Sequence, residues 1–283
     1  MTTSPVESAL KPHQIARDTF VIPWILNAPP VGYFPMNSLV IRAKEPVVVD
    51  TGSPADRQGW LENLASVVDP GDVRWIFLSH DDRDHAGNLL PALAACPNAT
   101  LLTTWFSVGR MFEEWVTPLE RCRFVNAGDT FDAGDRRLVA VRPPLFDNPT
   151  SRALFDERTG VLWSVDTFAT NMPVPLAEAD ELSDGAFRDG QLLGGRLVAP
   201  WHQWLDADKF GRHVSEVEDL PIEVIAGCHT PAIRGARIRA AFDVLRGLPS
   251  AEPWAEYTQA DLERWSRAMT EGLATAEDRP AEP

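Results

Sequence analysis

Ile76-Phe77-Leu78-Ser79-His80-Asp81-Asp82-Arg83-Asp84-His85-Ala86-Gly87-Asn88-Leu89 is the stretch whose reading decides the fold of this chain. A short apolar run ends abruptly in two histidines and three aspartates within six residues. Carboxylates and imidazoles together suit hard divalent cations, and the end of a strand is a rigid place from which to present them. Alone, any one of these aspartates reads as a helix cap or turn residue; the cluster reads as part of a metal site.

Working outward, Val47-Val48-Val49-Asp50 is a second buried strand ending in a polar turn, and it reads as the second arm of a hairpin. The first arm is Met36 to Ala43, with Lys44-Glu45 at the turn. Ser53 to Val67 has helical spacing, placing Trp60, Leu61, Leu64 and Val67 on one face. Val73 to Leu78 is the strand that delivers His80. Asn88 to Cys96 and Ser107 to Trp115 are expected as helices, and Ala99 to Thr103 as a strand. The Pro-rich stretch Val21 to Val31 is expected to be irregular or edge structure. In the second half, Leu138 to Val141, a hairpin of Ala153 to Phe155 with Val161 to Val165, Arg196 to Pro200 and Glu223 to Ala226 read as strands. Asp206 to Asp219 and Gly235 to Leu245 read as helices. Two similar halves, each mixing hairpins with crossovers, favour an α/β (α+β) fold of two sheets covered by helices over one doubly wound parallel sheet.

Three more candidate ligands fall where strand ends meet loops. Asp147 follows Leu138 to Val141, Asp166 ends Leu162-Trp-Ser-Val-Asp166, and His229 ends Val224-Ile-Ala-Gly-Cys-His229. Four strand ends thus each offer oxygen or nitrogen, and loops converging at one edge of a layered fold build sites of this kind.

The order His80-x-Asp82-x-Asp84-His85 resembles the His-x-His-x-Asp-His signature of the metallo-β-lactamase superfamily, with aspartate in place of the second histidine. Met36-Asn-Ser-Leu-Val, Val49-Asp-Thr, Gly128-Asp-Thr-Phe, Asp147-Asn-Pro149, Leu162 to Phe168 and Ile225 to Pro231 extend the similarity to the diiron domain of flavodiiron and oxygen-binding diiron proteins. This resemblance implies an αββα metallo-β-lactamase sandwich of two mixed sheets flanked by helices over residues 1–248. A C-terminal helix (Ala260 to Leu273) and a disordered tail would occupy 249–283. It further implies that His80 and Asp82 bind one metal, with Asp147 where the family usually has histidine. Asp84 and His229, with His85 as a further candidate, would bind a second metal, and Asp166 would bridge the two. Asp50 resembles an aspartate that orients loop residues rather than a ligand.

Charge helps to select the chemistry. Asp82, Asp84, Asp147 and Asp166 would neutralise two divalent ions, whereas hydrolytic zinc sites keep net positive charge to acidify bound water. An oxygen-rich set also suits iron or manganese better than zinc. The expectation is a dinuclear protein, with iron as the expected metal and manganese and zinc as alternatives, that binds or reduces dioxygen or nitric oxide with electrons from a separate donor. The competing readings are a metal-dependent hydrolase of an ester, lactone, thioester or phosphodiester, and a diiron oxygenase acting on an organic substrate.

Composition narrows the partners. The 283 residues carry a net charge of −15, which disfavours nucleic acid. Three cysteines (Cys96, Cys122, Cys228), no signal-like start and no apolar span point to a cytoplasmic protein with no membrane role, and a homodimer is compatible with the fold. Cys228 reads as a small buried residue, because alternation along an extended chain would turn it away from its neighbour His229. His202 reads as a packing or surface residue, and His13 and His213 as solvated. Trp24, Trp105, Trp163, Trp201 and Trp204 are candidates to wall an apolar pocket.

Overall fold

The structure is a computed structural model that describes residues 10–28 and 31–277. The readings of the N-terminal segment and of the Ala/Glu/Pro tail fall largely on residues outside these ranges. The chain divides into two units, Met1–Glu252 and Pro253–Pro283.

Six strands lead the first unit: β1 (His13–Ala16), β2 (Thr19–Ile22), β3 (Ile25–Ala28), β4 (Gly32–Pro35), β5 (Ser38–Ile41) and β6 (Val47–Val49). Then come α1 (Arg57–Val67), β7 (Trp75–Phe77), the single turn α2 (Arg83–Ala86), α3 (Leu89–Ala95), β8 (Thr100–Thr103), α4 (Trp105–Met111) and β9 (Cys122–Phe124). The second half comprises β10 (Thr130–Asp132), β11 (Arg137–Val141), β12 (Ala153–Asp156), β13 (Val161–Trp163), α5 (Asp184–Val198), α6 (Ala207–Glu218), β14 (Val224–Gly227), β15 (Thr230–Arg234) and α7 (Ala236–Gly247).

One sheet runs β1-β2-β5-β6-β7-β8-β9 and the other β10-β11-β12-β13-β14-β15. Both are mixed: β6 to β9 run parallel, as do β13 and β14, while the hairpin pairs are antiparallel. The continuous apolar strands have both faces covered. Val47, Val49, Phe77 and Leu102 face the second sheet, whereas Val48, Ile76 and Leu101 face Trp60, Leu64, Leu89 and Leu93 of α1 and α3. Helices α5, α6 and α7 pack onto the second sheet through Phe187, Val198, Phe210, Val214, Phe242 and Leu245. The architecture is the expected αββα sandwich.

One stretch resolves an alternative left by the sequence and another differs from its reading. Residues 21–28 take the edge alternative: they supply the end of β2 and all of β3, which pairs with β4 in a two-stranded sheet, and Pro23 lies between β2 and β3, where no ladder N–H is needed. Arg196 to Pro200 is not a strand; it covers the C-terminal end of α5 and the residues just past it. Glycines at 185, 190, 194 and 195 lower the intrinsic helix propensity of this segment, and tertiary packing overrides it. A Cβ on Gly190 would lie 2.3 Å from the Asn171 carbonyl oxygen, and one on Gly194 would lie 2.0 Å from that of Ala169. The helix can rest on the loop after Asp166 only because those side chains are missing. Helix α4 also starts earlier than expected, at Trp105, because the Thr104 hydroxyl accepts from the Ser107 N–H and caps it.

The second unit contains α8 (Gln259–Glu277). Tyr257 packs edge-on against both Trp254 and Trp265, at centroid distances of 5.2 and 4.7 Å.

Candidate metal centre

All seven predicted donors meet at one edge of the sandwich. β7 delivers His80, α2 presents Asp84 and His85, the loop after β11 brings Asp147, the turn after β13 brings Asp166, and the β14–β15 turn brings His229. His80 Nε2 lies 3.5 Å from Asp166 Oδ2. His85 Nε2 lies 3.0 Å from Asp166 Oδ1 and 3.7 Å from Asp84 Oδ2. His229 Nε2 lies 2.9 Å from Asp84 Oδ2 and 3.3 Å from Asp166 Oδ1. Asp147 Oδ1 approaches His80 Nδ1 at 3.9 Å, and Asp82 joins His80 and Asp147 in the same donor group.

Each imidazole is oriented by its other nitrogen. His85 Nδ1 sits 2.8 Å from Asp50 Oδ2, His229 Nδ1 donates to the Pro35 carbonyl at 2.8 Å, and His80 Nδ1 lies 3.2 Å from the Ser151 hydroxyl. With Nδ1 so engaged, all three Nε2 atoms turn onto the aspartates, the arrangement expected of metal-binding histidines and their outer partners. Asp50 has the orienting role expected of it. Its carboxylate also accepts from the Ser79 N–H at 2.7 Å, the Ser79 hydroxyl at 2.6 Å and Trp163 Nε1 at 3.0 Å.

Backbone strain concentrates at the same place. Asp50, Val165 and Phe168 have φ of 60°, 61° and 68°. Left-handed backbone is unusual for β-branched valine, so the turn that carries Asp166 is held by its surroundings against local preference.

Electrostatics supply the test of fit. Burial pushes the Asp84 and Asp166 carboxyls up, but the surrounding imidazoles outweigh it and hold both well below the usual carboxylate range. Burial pushes His85 and His229 down, yet Cys228, Asp166 and Asp84 carry both well above the usual imidazole value. Asp147 is raised to about 6, chiefly by burial and by Asp166. The cluster therefore favours positive charge at its centre. His80 Nε2 and Asp166 Oδ2 are buried without a hydrogen-bond partner, although such atoms normally have one. A cation between these groups would satisfy both the charge and the unpaired atoms, so the residues fit a metal centre.

The site opens into a pocket of about 260 Å³ whose apolar wall is Leu26, Phe34, Met36, Ala169, Leu197 and Val198. None of the five candidate tryptophans lines it. Trp163 is buried against Asp50, while Trp105 and Trp204 are exposed. Leu26 and Phe34 of the wall come instead from the β3–β4 hairpin, and Leu197 and Val198 from the end of α5 that the sequence suggests is a strand. His202 is a buried packing residue. His213 is not simply solvated, since Nε2 reaches the Pro143 carbonyl at 3.3 Å.

Cys228 departs from expectation. It is buried as predicted, but its Sγ faces Asp84 Oδ2 at 3.9 Å. Strand β14 ends at Gly227, so residues 228 and 229 form a turn to which strand alternation does not apply.

A sequence profile described as "ODP family beta lactamase" matches residues 35–230, a span containing every side chain named in the cluster. The chain belongs to this family. The ODP-family chain has the metallo-β-lactamase fold in the form found in flavodiiron proteins. The anaerobic nitric oxide reductase flavorubredoxin of Salmonella typhi is 30% identical over 197 residues, covering 68% of this chain and 40% of that protein. The flavodiiron protein from Giardia intestinalis superposes with a TM-score of 0.74 at 18% identity, covering 85% of this chain and 59% of that one. Rubredoxin oxygen:oxidoreductase from Desulfovibrio gigas gives 0.73 at 18% identity, covering 86% and 63%. The ODP-family chain thus spans about 40% of the length of the curated relative described here.

Proposed function

We propose that this ODP-family domain holds two divalent ions, preferentially iron, with manganese and zinc as alternatives, and that it binds or reduces dioxygen or nitric oxide. Electrons would come from a separate donor. His80, Asp82 and Asp147 hold one ion, Asp84, His85 and His229 the other, and Asp166 spans the two. One observation carries this reading: three Nε2 atoms, each oriented by its Nδ1 contact, turn onto Asp84 and Asp166, with Asp82 and Asp147 grouped beside His80 and a buried Asp166 oxygen left without a partner. Four carboxylates offset two divalent charges, which disfavours the acidified water of a zinc hydrolase and suits harder ions. A relative named as a nitric oxide reductase and a neighbour named as an oxygen:oxidoreductase support the choice of diatomic.

When bound, an iron pair supplies a redox-active seat for the diatomic. The chain's own contribution is positional. Outward Nδ1 contacts fix the imidazoles, the left-handed turn fixes Asp166, and the apolar wall limits water around the site.

Metal analysis of aerobically purified protein, followed by anaerobic reduction and titration with dioxygen and with nitric oxide, tests the proposal. About two irons per chain are expected in a two-metal site, with near-ultraviolet absorption lost on reduction and restored by the diatomic. Zinc as the sole stoichiometric metal, with ester, lactone, thioester or phosphodiester turnover, would overturn it. The pocket is larger than a diatomic needs, which favours as a second reading oxygenation of an apolar organic substrate. Oxygen uptake that depends on such a compound would select that reading.

A further inference from the structure

The second donor group contains more than the aspartate and histidines assigned above. Asp84, His85, Cys228 and His229 each offer a ligand atom, and these four atoms all lie within 4.8 Å of one another. The Cys228 side chain is fully buried and faces Asp84 Oδ2 at 3.9 Å. The thiol is not an isolated feature, because Asp166, a buried carboxylate whose Oδ2 has no hydrogen-bond partner, reaches His85 and His229 of the same group through Oδ1 at 3.0 and 3.3 Å.

We propose that Cys228 supplies a thiolate to the ion held by Asp84, His85 and His229, so that the two metal positions are chemically unequal. This rests on the two-ion reading above. Two imidazoles, the Asp84 carboxylate, the shared Asp166 carboxylate and one thiolate form a donor set that suits zinc and cobalt, because soft sulfur selects softer ions. The other position has His80, Asp82 and Asp147, with Asp166 shared, and this oxygen-rich set selects a harder ion. The two positions then differ in their affinity for any one metal, although both can hold iron when iron alone is supplied. In mixed supply, the sulfur-bearing position takes the softer ion and the oxygen-rich position the harder one. The thiolate also adds a negative charge to a set that four aspartates already neutralise, further weakening the case for hydroxide chemistry.

Cobalt(II) added to the metal-free full-length chain tests this by absorption, independently of activity. A thiolate-to-cobalt charge-transfer band in the near ultraviolet should appear with one of the two equivalents. It should persist in Cys96→Ser and Cys122→Ser and vanish in Cys228→Ser, while the visible d–d bands remain. Competition with a zinc chelator should show Cys228→Ser losing more affinity at that position than the about 10–100-fold typical of losing an outer hydrogen bond to a ligand. Two bound cobalt ions in the wild-type chain without a charge-transfer band would overturn the thiolate assignment and leave the two-ion reading intact. Failure to bind cobalt stoichiometrically would overturn both. Because the decisive band is read in the unmutated chain, misfolding of Cys228→Ser would not rescue the assignment.

Discussion

The Asp50 carboxylate and the His85 imidazole form a fully buried pair, with Oδ2 2.8 Å from Nδ1. Asp50 ends β6 in left-handed backbone, and every group that meets its carboxylate there is a donor: the Ser79 N–H and hydroxyl, the Trp163 indole and His85. This one side chain therefore fixes the strand end that delivers His80 and the ring that faces Asp166.

Asp50→Asn keeps the shape and tolerates the backbone, but it turns an amide N–H₂ toward groups that donate to the carboxylate, of which the Ser79 N–H and the Trp163 indole cannot accept. The expected cost is about 1–3 kcal/mol of stability, from buried donors left unsatisfied, and about 10–100-fold in metal affinity. Urea unfolding and metal titration of the same preparation check both. Unchanged metal affinity would separate Asp50 from the centre.

Asp166→Ala should leave at most one ion per chain, read by metal analysis after gel filtration. Retention of two ions would show that Asp166 does not span them.

Asp82→His together with Asp147→His should raise zinc affinity and any hydrolytic turnover, because two anionic donors become neutral. Zinc titration and an ester or lactone assay provide the readout. No change in either would remove the charge argument.

Gly194→Ala and Gly211→Ala separate packing from propensity. At Gly211 in α6 the new methyl meets nothing within 4 Å, so a gain of about 0.5–1 kcal/mol is expected. At Gly194 it would press on the Ala169 carbonyl, and a loss of about 1–3 kcal/mol is expected from overpacking. Thermal unfolding of the two variants should move in opposite directions.

Asp135 lies against Arg136 and Arg158 and accepts from the Lys44 N–H at 3.0 Å. Burial pushes its carboxyl up, but these partners outweigh burial and leave it below the ordinary aspartate value. A lowered folded-state value means stability that is fully present above the unfolded-state value and is lost as pH falls through the folded one. The destabilisation caused by Asp135→Asn should be greatest near neutrality and shrink below about pH 4, where unfolded aspartate takes up its proton. Urea midpoints across that range provide the check.

Much of the fold was legible because strands buried on both faces read as continuous apolar runs, as Val47-Val48-Val49 and Trp75-Ile76-Phe77 do, and each ends in a polar residue of the site. The metal cluster was legible for the same reason, since His80, Asp166 and His229 all follow such runs. Helix α5 was not, because its glycines serve a close approach to the backbone of Ala169 and Asn171, which no local propensity records. The pocket wall was hidden with it. The burial of Cys228 was legible but the direction of its side chain was not, because the turn after Gly227 breaks strand alternation.

Trp163 belongs to the second sheet and Asp50 to the first, yet the indole N–H ends on that carboxylate. The scaffold behind His85 is thus completed only when the two layers have closed on each other. A ribosome must also have released the chain past residue 229 before the last imidazole can arrive. On the two-ion proposal, metal acquisition at this centre would follow closure of the two layers, and ion uptake during refolding would serve as a clock for docking of the two halves.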